Sequence, residues 1–265
     1  MYSSPELIVK YLSYYINAAN SKGHGIHSPF VFNFITKVLN DRSQYVEYSS
    51  IESLRRQLHR DKTELQVTDF GAGSRLNATD KRKISEISKQ ALKPQKYAAL
   101  LFRMVRYFQP DTIVELGTSL GITTAYLATA RPGTSVTTLE GSPEIAAEAK
   151  KVFEKLAISN ITQLNGHFND TIEVAIARHT KVDFLFIDGN HRYQPTIQYF
   201  ESFLSVATEN TIIVLDDIHW SREMENAWQY CRKHPSVRLS IDLFFIGILF
   251  FRKDFRVPQH FSIRF

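Results

Sequence analysis

The sequence predicts an α/β fold: a doubly wound sheet of five parallel strands plus an antiparallel C-terminal hairpin, preceded by an N-terminal helical extension. Three observations predict it. From Thr112 onward, short apolar segments alternate with amphipathic ones, as in "TIVEL", "ITTAYLATA", "SVTTLE" and "PEIAAEAKKVFEKLA". Alternation at that length specifies βαβ units with right-handed crossovers, hence a parallel sheet covered on both faces. After the last helical segment, "VRLSIDLFFIGILFFRK" offers two strands joined around Gly247 with no room for a crossover helix, so at least one runs antiparallel. Before Thr112 the alternation is missing and the periodicity is helical. These shifts divide the chain into a helical extension or lid over 1–92 and a ligand-binding core over 93–265.

Taken in order, "SPELIVKYLSYYINAAN" opens with serines and a first-turn proline. It then sets Leu7, Ile8, Tyr11, Leu12, Tyr15 and Ile16 on one helical face. "SKGHGIHSPFVFNFITKVLN" places a glycine-rich loop before a second helix entered through Ser28 and Pro29. His24 and His27 of that loop read as capping and packing residues, or as part of a lid or a metal site. "SSIESLRRQLHRD" is a third, strongly charged helix. "TDKRKISEISKQALKPQKYAALLFRMVRYFQP" reads as two helices broken near Lys93 and Pro94. The core then continues through "ITQLNG", "DTIEVAIARH", "VDFLFID", "PTIQYFESFLSV", "TIIVLDD" and "SREMENAWQYCRKH" in strand and helix alternation.

Two glycine loops compete for a nucleotide. A cradle of this kind needs a strand, a tight turn with its amides facing the ligand, a helix starting there, and a second strand ending in an acid about 20 residues on. "IVELGTSLGITTAYLA" meets all four: Gly117 and Gly121 bound the turn, and "VTTLE" ends in Glu140, whose carboxylate can accept hydrogen bonds from both hydroxyls of a ribose. "VTDFGAGSRL" is followed by polar, charged residues and by no strand ending in an acid. It is therefore read as a turn with Gly71 and Gly73 at positive φ, or as a loop bringing Ser74 and Arg75 to a substrate pocket. The chosen loop lacks the three-glycine dinucleotide fingerprint, which argues against NAD or FAD.

In the loop "ELGTSLG", and in the ordered motifs after it, the sequence resembles the class I S-adenosylmethionine-dependent methyltransferases, with their Rossmann-like sheet. It is most similar to the small-molecule O-methyltransferases related to the catechol and caffeoyl-CoA enzymes. That resemblance spans 93–265. "GHGIHSPFVF" and "LDDIHWSREME" extend it, along nearly the whole chain, to a bacterial group. It implies S-adenosyl-L-methionine as cofactor, with Glu115, Gly117, Thr118, Ser119 and Gly121 at its methionine part, Glu140 and Gly141 at the ribose, and His167 and Phe168 at the adenine. An acid is more usual where His167 stands.

Methyl transfer to a hydroxyl needs alignment of the acceptor and loss of its proton. Ligands of such sheets sit beyond the carboxyl ends of the strands, and there the sequence offers Asp188, Asp216 and Asp217. Three oxygen donors suit Mg²⁺ or another divalent cation. In the metal-dependent relatives the second site is Asp-Asn rather than Asp-Asp. Asp188 is also a candidate for the cofactor's amine. The family's catalytic lysine falls at His191, and His219 is a rival base, so Asp188, His191 and His219 are the candidate catalytic residues. Tyr193 and Trp220 could wall an apolar acceptor.

Lysines and arginines are spread along a chain of net charge +5, which disfavours a nucleic-acid partner and leaves a small-molecule substrate. A single cysteine, Cys231, excludes an internal disulfide and a multi-cysteine metal site. The N-terminus lacks the pattern of a secretory leader, and "LFFIGILFF" is far short of the roughly 20 residues that span a bilayer. A cytoplasmic enzyme without membrane contact is expected. The helical extension has two candidate uses, closing a site or building a homodimer. The alternatives are a metal-independent methyltransferase acting on RNA or another macromolecule, and a non-catalytic binding protein that has kept the cofactor fold.

Overall fold

The computed structural model describes residues 1–23, 25–68 and 79–265. "DFGAGS" with Arg75, and His24, lie outside the described residues. The chain packs into two compact units, Arg42–His179 and Met1–Asp41 with Thr180–Phe265. These boundaries follow packing rather than the change of sequence pattern.

The second unit begins with α1 (Ser4–Asn17) and α2 (Pro29–Phe34), which runs on as a π-helical stretch over Ile35–Leu39. Glu6 Oε2 accepts the Ser3 amide at 2.7 Å and Pro5 occupies the first turn of α1. Ser28 Oγ caps α2 by accepting the Val31 amide at 3.4 Å. No residue of α1 is fully buried, whereas α2 and its extension bury Val31, Phe34, Ile35 and Val38.

The unit over 42–179 holds α3 (Val46–Leu58), β1 (Glu64–Thr68), β2 (Thr79–Lys83), α4 (Ile84–Ala91) and α5 (Gln95–Phe108). Then follow β3 (Thr112–Leu116), α6 (Ile122–Ala130), β4 (Ser135–Glu140), α7 (Pro143–Lys155), β5 (Ile161–Asn165) and α8 (Phe168–Ala177). One expectation fails here: "TDKRK" is a strand, antiparallel to β1 with Leu65 opposite Arg82, rather than the start of a helix. Charged residues fill four of its five positions, so it has no apolar face with which a helix could dock. The helix starts only at Ile84, where Glu86 Oε2 accepts the Lys83 amide at 3.4 Å. β3 pairs parallel with β4, and β4 with β5, placing Glu115 beside Thr138 and Glu140 beside Asn165.

Returning to the other unit, β6 (Val182–Ile187), α9 (Tyr193–Leu204), β7 (Ala207–Asp216) and α10 (Arg222–Arg232) precede β8 (Leu239–Asp242), β9 (Ile246–Phe250) and β10 (Gln259–Ser262). In this unit the strands lie in the order β6-β7-β9-β8-β10. β6 and β7 are parallel, while β9 runs antiparallel to both β7 and β8. The doubly wound class and its closing hairpin are therefore the ones expected. The hairpin's turn, however, lies at Leu243–Phe245, with Phe244 at φ 71°, and not at Gly247. Gly247 sits inside β9 because a Cβ there would come within 2.6 Å of the Trp228 ring. The short polar β10, parallel to β8, has no periodicity that would have announced it. Phe184, Phe186, Phe200, Phe203 and Trp228 fill this unit's core. Among the described residues no helix is long and apolar enough to cross a membrane.

Candidate functional site

In the unit over 42–179, three loops meet at the carboxyl ends of β3, β4 and β5. After β3 the backbone passes through left-handed conformations at Gly117 (φ 107°), Ser119 (φ 47°) and Gly121 (φ 77°) before α6 begins. Gly121 is required twice, by its φ and because a Cβ would come within 2.6 Å of the Phe153 ring. The amides of Gly117 and Thr118 both donate to Leu139 O, at 3.0 and 3.1 Å. Glu140 clasps its neighbours: Oε2 accepts the Ser119 amide at 2.8 Å and Oε1 the Ser142 amide at 3.0 Å. Gly166 N reaches Glu140 O at 3.0 Å, so the third loop joins the first two.

Beneath this surface Glu115 is fully buried and accepts hydroxyl hydrogen bonds from Thr124 and, at 2.7 Å, from Thr138. Ser119 Oγ is buried and has no hydrogen-bond partner among the described residues. His167 caps α8, its Nδ1 accepting the Asn169 amide at 3.2 Å, and the partly buried Phe168 opens that helix. Gly141, partly exposed, follows Glu140 into the second loop. The donor set fits a nucleoside sulfonium cofactor. A carboxylate has about four lone-pair positions, so Glu140 can hold the loop amides and also face a ribose hydroxyl, and Ser119 offers a hydroxyl with no partner among the described residues.

Among the described residues of the other unit are two groups, each made of two carboxylates and a histidine. Asp188 follows β6, His191 lies in the loop leading to α9, and Asp216 ends β7. One donor atom of each lies within 4.8 Å of the other two. His191 Nε2 is 3.7 Å from Asp188 Oδ1, beyond hydrogen-bond reach. Asp216 is fully buried, and Asp188 and His191 are partly so. Asp217, at φ 52°, is not part of this group.

His219 belongs to the second group. Its Nε2 lies 2.9 Å from Asp242 Oδ2 and its Nδ1 3.0 Å from Glu225 Oε1, while its ring stacks on Phe244 at 5.1 Å. Glu225 also accepts from Tyr2 Oη at 2.7 Å and Lys10 Nζ at 3.0 Å. Asp242 Oδ1 accepts the Phe244 amide at 2.8 Å and so supports the left-handed turn of the hairpin. Burial pulls the His219 pKa down, but the hydrogen bonds and charges of Asp242 and Glu225 outweigh it and hold the imidazole above its ordinary value. Burial pushes Asp242 and Glu225 up. Hydrogen bonds from His219 to Asp242, and from Tyr2, Lys10 and His219 to Glu225, outweigh it and keep both carboxyls below theirs. With a carboxylate on each ring nitrogen, His219 has no free lone pair with which to take a proton.

Sequence reasoning missed Glu225 and Asp242. The first was within reach of it: Ser221 caps α10, accepting the Met224 amide at 3.2 Å, which puts Glu225 in the first turn just beyond His219. Tyr193 lines a cleft of about 470 Å³ with Asn226, Gln229, Tyr230 and His234, and Trp220 does not share it.

Residues 114–218 match the model of a family described as a methyltransferase domain. The match takes in the three loops from Glu115 to Phe168 and the Asp188, His191 and Asp216 group, and it ends before His219, Glu225 and Asp242. A search of curated proteins finds no significant match. In structure the chain is similar to a methyltransferase from Podospora anserina with S-adenosylhomocysteine bound: the TM-score is 0.60 and the identity 12%, over 95% of this chain and 98% of that one. It is also similar to an O-methyltransferase from Bacillus cereus in complex with S-adenosylhomocysteine, with a TM-score of 0.56 and 18% identity over 83% of this chain and 97% of that one. A third similar structure is an O-methyltransferase from Streptomyces achromogenes involved in tomaymycin synthesis and bound to S-adenosylmethionine: the TM-score is 0.57 and the identity 14%, over 79% of this chain and 91% of that one. At these identities the likeness is one of fold. Residues 114–218 thus match a methyltransferase domain, and the fold of the chain resembles that of O-methyltransferases.

Proposed function

We propose that the chain is an S-adenosylmethionine-dependent methyltransferase that methylates a hydroxyl of a small metabolite. The observation that carries this reading is the cradle closed by Glu140, lying inside the matched methyltransferase domain. When bound, the cofactor supplies an electrophilic methyl group on a sulfonium. Glu140 would hold its ribose, the loop from Gly117 to Gly121 its methionine part, and Phe168 its adenine. Their task is to fix the methyl donor so that displacement becomes an intramolecular, in-line event.

Asp188, His191 and Asp216 form the acceptor-activating centre in this reading. Asp188 and Asp216 would hold a divalent cation, which when bound lowers the pKa of an acceptor hydroxyl. Asp188 orients that hydroxyl, and the buried Asp216 keeps the centre anionic. His219 is not the base here, since both its nitrogens are engaged.

Calorimetry with S-adenosylhomocysteine and NAD tests the cofactor. S-adenosylhomocysteine is expected to bind, NAD is not, and Glu140→Ala is expected to weaken the complex by about tenfold or more, the loss of a charge-assisted contact of roughly 1.5–3 kcal/mol. Binding of NAD without S-adenosylhomocysteine would end the methyltransferase reading. Asp216→Ala is expected to retain cofactor binding and to lose methyl transfer to phenol and alcohol acceptors by about 10²–10⁴-fold, the usual scale for lost proton-transfer assistance.

A further inference from the structure

The same centre carries a more specific inference, which rests on the reading of it as the acceptor site. We infer that its cation is a first-row transition metal of the Mn²⁺, Co²⁺ or Zn²⁺ kind, and that His191 is one of the ligands. An all-oxygen Mg²⁺ site completed by Asp217 is what the strand-end acids alone would suggest. The geometry departs from it in two places.

First, the group that converges is Asp188, His191 and Asp216, an imidazole nitrogen between two carboxylates, with all three donor atoms within 4.8 Å of one another. Ligands about 2.1 Å from a shared ion can lie at most about 4.2 Å apart, so side-chain shifts of a few tenths of an ångström close the set. Asp217, the residue that would make the set all oxygen, is outside it, its backbone turned to φ 52°. Second, the imidazole and carboxylate do not hydrogen-bond to each other: Nε2 and Oδ1 stand 3.7 Å apart. Two ligands of one ion keep a separation of that order.

Ligand chemistry then selects the ion. Mg²⁺ and Ca²⁺ favour oxygen, and Mg²⁺ gives up its water reluctantly. Imidazole favours ions later in the first transition row, and affinity rises along that row. Three protein donors leave coordination positions open for an acceptor. A liganded His191 has its lone pair committed, so it positions the ion and does not accept the acceptor's proton.

The test uses tag-free, full-length protein cleared of metal with a chelator and titrated calorimetrically with MnCl₂, CoCl₂ and MgCl₂. Co²⁺ and Mn²⁺ are expected to bind at least about tenfold tighter than Mg²⁺. His191→Asn is expected to lower Co²⁺ affinity by about 10–100-fold with Mg²⁺ affinity and thermal midpoint unchanged, and Asp217→Asn to change neither ion by more than about twofold. Pulsed electron paramagnetic resonance of bound Mn²⁺ should show a nitrogen coupling that disappears in His191→Asn. Equal or tighter Mg²⁺ binding, no binding of any of the three ions, or Co²⁺ affinity that survives His191→Asn would each overturn the inference. None of these outcomes involves S-adenosylhomocysteine, so the methyltransferase reading stands or falls separately.

Discussion

Two groups in the unit formed by Met1–Asp41 and Thr180–Phe265 have the same composition and opposite organisation. Asp242, His219 and Glu225 are joined at 2.9 and 3.0 Å, and each carboxylate has a further donor, the Phe244 amide on one and Tyr2 and Lys10 on the other. That group is closed, since its members satisfy one another. Asp188, His191 and Asp216 converge without closing, the histidine and Asp188 standing 3.7 Å apart. Identical residue types therefore form a hydrogen-bonded clamp in one place and a set of converging donors in the other. What separates them is the spacing set by the backbone: α10 and the β8 to β9 hairpin bring carboxylates up to both sides of His219, and the loop after β6 holds His191 back from Asp188.

Alanine at one carboxylate of each group draws the contrast most sharply. Asp242→Ala leaves a buried histidine charge short of a partner and removes the support of the Phe244 turn, so a loss of about 3–5 kcal/mol is expected in urea unfolding. Asp188→Ala should change stability by about 1 kcal/mol or less. Comparable losses at both positions would mean that both groups are clamps.

A smaller effect depends on pH. His219 is raised above its ordinary 6.5, so its contribution is fully present below that value and is lost as pH rises through the folded pKa. Glu225 and Asp242 are lowered from 4.5 and 3.8, so theirs is present above those values and is lost as pH falls through the folded pKa. The stability gap between wild type and His219→Gln should therefore be widest, at about 1.5–3 kcal/mol, between pH 4.5 and 6.5. It should narrow as pH rises beyond that window. A gap that widens on the alkaline side would show the histidine to be neutral in the folded protein.

The smallest change is expected at the rim of the clamp. Lys10 meets Glu225 at 3.0 Å with about a third of its side chain in solvent. Lys10→Met should cost less than about 1 kcal/mol, a cost that 1 M salt removes from the wild type as well. A larger, salt-resistant loss would mean that α1 is part of the clamp and not its edge.

Much of the fold was legible because its information is local. A five-residue apolar strand such as "TIVEL" and an amphipathic helix such as "PEIAAEAKKVFEKLA" carry their periodicity within themselves, and the cradle's glycines and Glu140 stand at a spacing that backbone geometry dictates. The misread elements had no such signature. "TDKRK" became a strand only through its partner β1, and β10 through β8, since short, mostly polar segments gain structure from a ladder and not from a face of their own. Gly247 shows the same limit, because its glycine answers to the Trp228 ring and not to a turn.

The sequence by itself determined the strand and helix alternation, the left-handed glycine loop that leads from β3 into α6, and the acids at the strand ends, all written in residues near one another in the chain. Only the tertiary structure decided that His219 is locked between Glu225 and Asp242, that Asp217 stands apart, and that His191 joins Asp188 and Asp216. The reason is physical. Hydrogen bonding acts over about 3 Å, and which side chains come that close depends on where helices and hairpins far apart in the sequence are packed.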